Sequence, residues 1–173
     1  MKKTDLLWIL AYPLYQLVGT LRHEASHALM ALSLGGEITQ FVFWPSQGYW
    51  GYVAFRGVPS TGPGANLIDA APYLVDALTF LVFFTICMLV RFRWRWLWIN
   101  LIAIGIVSPL VNSAYNYWVG VRTSHHDVGD LLAQIPPMLV HTYFWVTLMA
   151  YLIGLILVFT SSRMARVTRI KQE

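Results

Sequence analysis

Apolar residues fill four long stretches of this chain, at about residues 6–34, 67–90, 97–119 and 138–160. Each is long enough for a helix across about 30 Å of hydrocarbon, which takes about 20 residues. The first exceeds that length, so it must tilt, kink or protrude. Pro13 offers a kink within it, and Gly35-Gly36 a stop. From Glu37 to Gly57 the pattern changes. Two β-rich runs, Ile38 to Trp44 and Tyr49 to Phe55, flank Pro45-Ser46-Gln47-Gly48, which predicts a hairpin. Its aromatic residues suit the membrane interface, where a sheet edge must pack on the first helix or line a wet cavity. The expected architecture is therefore an all-α membrane protein of one domain over 1–173. It has about four transmembrane helices and a membrane-associated β-hairpin at about 37–57.

Composition agrees. The chain is 57% hydrophobic and 12% charged, against about a quarter charged in soluble domains. Its net charge of +4 raises the question of nucleic acid, but the basic residues cluster beside the apolar stretches. Lys2 and Lys3, Arg91, Arg93 and Arg95, and Arg163, Arg166, Arg169 and Lys171 read as topology signals. With four spans these segments share one side, and the positive-inside rule places both termini in the cytoplasm. The partner implied is the bilayer, not nucleic acid. A single cysteine, Cys87, excludes an internal disulfide and any cysteine-based metal site. The apolar start runs on into polar residues without a small-residue cleavage site, so it reads as retained.

One polar island sits inside the first stretch: His23-Glu24-Ala25-Ser26-His27. On a helix, His23 and His27 fall one turn apart on one face and can share a metal ion. Glu24 beside them is placed to act as general base for water activated by Zn²⁺. Hydrolytic zinc takes three protein ligands and keeps one position open. The third ligand is open among Asp127, Asp130, His125, His126, Asp76, Asp69 and His141; the loop with Asp127 lies on the matching membrane face. Asp127 also suits a helix N-cap. Asp76 and Arg22 are suited to pair, since an unpaired charge at that depth is unfavourable. Asn112 and Asn116, one turn apart, suit either a substrate backbone and oxyanion or helix-to-helix hydrogen bonds. Pro109 should bend the helix just before them.

The pentapeptide in the first apolar helix, Gly35-Gly36, an aromatic hairpin and a later Asp-bearing segment after Asn112 and Asn116 follow a recognisable order. It resembles the site-2-protease class of intramembrane zinc metallopeptidases, in particular its small four-span branch. The resemblance implies zinc held by His23, His27 and Asp127, water activation by Glu24, and a hairpin that pairs with an unwound membrane-protein or peptide substrate. Two other readings use the same residues: a membrane zinc hydrolase of lipid amides or esters, and an inactive metal-binding or structural membrane protein.

Overall fold

A computed structural model describes residues 11–46, 50–124 and 126–170, and for 162–170 the backbone alone. Lys2, Lys3, the start of the expected first span, residues 47–49 of the hairpin loop, His125 and Lys171 lie outside the described residues, and so do the side chains of Arg163, Arg166 and Arg169. The described chain is helical apart from one hairpin. In order it forms α1 (Tyr12–Ser33), β1 (Glu37–Val42), β2 (Tyr52–Arg56), α2 (Pro63–Leu89), α3 (Arg95–Gly120), α4 (Asp127–Gln134) and α5 (Pro137–Ile170).

Among the described residues, three helices are long and apolar enough to cross a membrane: Pro63–Leu89, Arg95–Gly120 and Pro137–Ser161. The expectation of four spans is corrected to three. The helix at fault is α1, whose 22 residues include Gln16, Arg22, His23, Glu24 and His27. Those residues lower its hydropathy without shortening it. Its remaining apolar residues are not scattered: Leu14, Val18, Leu21, Leu29 and Leu32 are all exposed and recur at helical spacing. The buried positions are Thr20, His23, Glu24, Ser26 and His27 with the small residues Gly19, Ala28 and Ala31. Thus α1 is amphipathic with its polar side turned inward. The three apolar helices also leave large side chains bare, among them Leu78 and Leu81 on α2 and Val146, Ile153 and Ile156 on α5. That much uncovered apolar surface suits lipid, not water.

Pro13 lies in the first described turn of α1, where a missing N–H costs nothing, so it makes no mid-helix kink. The stop at Gly35-Gly36 is as expected: α1 ends at Ser33, and the Gly36 N–H donates back to the Ala31 carbonyl at 2.9 Å. β1 and β2 pair antiparallel, with Glu37 opposite Arg56, Val42 opposite Tyr52, and an irregularity between Ile38 and Gln40. Within α3, residues Ala103–Val107 form a wide π-helical turn immediately ahead of Ser108-Pro109.

α1 packs chiefly along α2, and both hairpin strands rest on α1. The core has two parts. One gathers Tyr73, Val128, Leu131, Val140 and Phe144 from α2, α4 and α5; the other gathers Phe80, Ile102, Ile106, Tyr151 and Val158 from α2, α3 and α5. The first docks α4 on α2 and α5 and so brings Asp127 to the polar side of α1. Gly129 lets the preceding loop fold back closely on α4, since a Cβ there would meet the Thr123 carbonyl oxygen at 2.5 Å.

Candidate metal centre

His23 and His27 lie one turn apart on α1, and both rings turn inward. Their Nε2 atoms are 3.2 Å apart. Asp127, the first residue of α4, brings Oδ2 to 3.2 Å from His23 Nε2 and 3.1 Å from His27 Nε2. The three donor atoms thus form a nearly equilateral triangle. In a metal tetrahedron an edge is about 1.63 times the bond, so bonds of about 2.0–2.1 Å give edges of about 3.3–3.4 Å. The triangle has the size of one face of that tetrahedron. Two imidazoles and one carboxylate are also a donor set that zinc accepts, with one position left over. The residues fit a zinc ion.

Each donor is held from behind. His27 Nδ1 lies 2.8 Å from the Ile68 carbonyl on α2. That contact keeps a proton on Nδ1, so Nε2 is the nitrogen placed to bind a metal. The carbonyl is available because the residue four positions on is Pro72, which has no N–H. Asp127 Oδ2 accepts from the Tyr73 hydroxyl at 3.2 Å. His23 Nδ1 lies 3.2 Å from the Asn112 amide nitrogen, which also donates to Asp76 Oδ2 at 2.8 Å. Asn116 donates in turn to Asn112 Oδ1 at 3.1 Å. An amide hydrogen facing Nδ1 places the ring proton of metal-free His23 on Nε2, aimed at Asp127. A metal at Nε2 requires that proton to move to Nδ1.

Asp76 is fully buried and pairs with Arg22 at 2.7 Å, as expected. Arg22 also donates to Ser108 Oγ at 3.2 Å and to the Ile104 carbonyl in the π-helical turn. Burial alone would push the Asp127 carboxyl up. The His27 charge and hydrogen bonds from both imidazoles outweigh burial and hold it well below the ordinary carboxylate range.

The triad opens into a cavity of about 420 Å³. Glu24, Asn112, Asn116, Asp69 and His126 line it, with Tyr52, Val53 and Phe55 of β2 on one wall. The hairpin comes close to Glu24 through Gly51, where an added Cβ would lie 2.6 Å from Thr20 Cγ2 and 3.1 Å from Glu24 Cγ. Of the candidate third ligands, Asp127 alone joins the two histidines among the described residues. Its carboxyl turns to the imidazoles and makes no N-cap bond; the cap position is His126. Asp130 is exposed, Asp76 is taken by Arg22, and His141 bonds Tyr117 at 2.8 Å. His125 lies outside the described residues. Asn112 is engaged by Asp76, His23 and Asn116, whereas Asn116 is only partly buried. Sequence reasoning missed the Ile68 carbonyl and Tyr73. The signal for both was Pro72, an interruption inside an otherwise regular apolar helix.

The chain matches no family model, no curated protein and no solved structure.

Proposed function

We propose that this chain is a membrane-embedded zinc metalloprotease of the site-2-protease kind, hydrolysing peptide bonds of membrane-associated substrates. One observation carries the reading: His23, His27 and Asp127 converge from helices 100 residues apart in sequence, at metal-ligand spacing, next to Glu24 in a cavity. Zinc bound there supplies Lewis acidity, lowering the pKa of water and polarising a carbonyl. Glu24 takes a proton from the attacking water and delivers it to the leaving amine. Asn116 is the substrate-facing amide, and Asn112 organises His23.

The cavity wall supports this substrate class. A hydrogen-bonded helix hides its carbonyls, so a membrane segment must unwind before cleavage. β2 borders the cavity and, in the two-stranded sheet of the described residues, keeps one unpaired edge. An extended peptide added to that edge regains backbone hydrogen bonds. The inward-polar α1 then lies in the bilayer among the three apolar helices, its leucines toward lipid.

The test is Glu24→Gln in purified, zinc-loaded protein. Zinc content is expected to be unchanged, while cleavage of an unwound membrane-segment reporter falls at least about 100-fold. Undiminished cleavage would remove Glu24 from the mechanism.

A further inference from the structure

Each donor of the triad has a partner behind it, and the least expected is Tyr73. This side chain is 2% exposed, at the centre of the apolar cluster that docks α4. A tyrosine hydroxyl buried there needs a hydrogen-bond partner. It finds one in Asp127 Oδ2, the same oxygen that faces both imidazoles.

Three contacts keep Tyr73 from moving. Its ring meets Phe144 edge to face at 4.9 Å between centroids, and the His23 ring lies 5.8 Å away. Its backbone carbonyl accepts from the Tyr143 hydroxyl at 2.8 Å. Asp127 is less constrained, since it opens an eight-residue helix that follows a loop. A carboxylate there needs an external donor to choose its rotamer. A carboxylate oxygen has lone pairs enough for one metal and one hydroxyl donor. A clamped donor therefore fixes the oxygen without displacing a metal.

We propose that Tyr73 is the positioning residue for Asp127, its hydroxyl holding the carboxylate oxygen that completes the zinc triad. This rests on the metalloprotease reading and extends it to a residue that touches neither metal nor substrate. Outer partners of this kind change metal affinity by about 10- to 100-fold when removed.

The test measures zinc affinity of the purified full chain by chelator competition, with melting temperature of the metal-free protein alongside. Tyr73→Phe is expected to melt near wild type, bind zinc at least about 10-fold more weakly, and shift the visible spectrum of the cobalt(II)-loaded protein. Placing 4-aminophenylalanine at position 73, which keeps a ring-borne N–H donor, should restore affinity. Phe144→Leu loosens the same cluster but keeps the hydroxyl; it should lower the melting temperature and leave zinc affinity alone. Wild-type zinc affinity in Tyr73→Phe overturns the proposal, and so does a loss that tracks melting temperature equally in Tyr73→Phe and Phe144→Leu. His27→Ala separates the two levels. If it binds zinc as well as wild type, the triad is no metal site, and the metalloprotease reading falls together with this one.

Discussion

The Ile68 carbonyl lies 2.8 Å from His27 Nδ1, in the one place on α2 where a proline frees it. In an unbroken helix that oxygen would accept from the residue four positions on. Position 72 is proline, so His27 takes the vacancy. Pro72→Ala would supply the missing N–H and set up competition for the carbonyl. The expected result is a protein at least as stable as wild type, with zinc binding about 10-fold weaker as the His27 tautomer loosens. Chelator competition and a melting curve, run together, check it. A stable variant with wild-type affinity would show that the proline serves helix geometry alone.

Much of this was legible in the sequence, and the reason differs by element. His23, Glu24 and His27 share one turn, so their arrangement is fixed by local geometry once α1 is a helix. The hairpin was legible because aromatic and β-branched runs flank Pro45-Ser46-Gln47-Gly48. The spans at α2, α3 and α5 follow from uninterrupted apolar length. By contrast, the first stretch reads as a fourth span by its length, while Gln16, Arg22, His23, Glu24 and His27 hold its hydropathy below that of the other three. Length alone cannot separate a span from a helix that turns its polar side inward. Asp127 was one acid among several. Choosing it over Asp130 needed tertiary information: the docking of α4 through Val128 and Leu131, which turns position 127 toward α1 and leaves position 130 outside. The partners on α2 depend on separations of 41 and 54 residues that no local pattern encodes.

Gly51 offers a way to disturb the base without touching a metal ligand. A methyl group there would overlap Thr20 Cγ2 at 2.6 Å and the Val42 carbonyl oxygen at 2.9 Å and press on Glu24 Cγ at 3.1 Å, so the hairpin must shift against Glu24. Gly51→Ala is expected to keep zinc content at the wild-type level and to reduce cleavage about 10-fold or more, since small misplacements of a catalytic group have large effects on rate. Zinc analysis and reporter cleavage on one preparation distinguish this from general unfolding. Equal loss of zinc and activity would count against a specific action on Glu24.

Two ion pairs in this protein should behave oppositely on truncation. Arg22 and Asp76 are 14% and 0% exposed, whereas Arg56 and Glu37 are 69% and 65% exposed. Asp76→Ala strands a buried guanidinium, and a loss of about 3–5 kcal/mol is expected. It also releases Asn112, so His23 should lose order. Glu37→Ala breaks a pair bathed in solvent, for which about 0–1 kcal/mol is usual. Denaturation in a fixed detergent compares the two directly. Equal losses would contradict the burial of Arg22.

Zinc uptake should release protons. Burial alone would lower the His27 ring, but the facing Asp127 carboxylate outweighs it and raises that imidazole to about 9, so near neutral pH both its nitrogens carry protons. A metal at Nε2 must displace one of them, so ligand and proton compete for one lone pair. Affinity is therefore expected to fall as pH drops below about 9 and to level off above it. The Asp127 carboxylate contributes no such slope there, because its proton is lost well below that range. Calorimetric titrations with zinc in buffers of different ionisation enthalpy would count the protons directly. Zinc binding with no proton release at pH 6 would place the metal somewhere other than the two imidazoles.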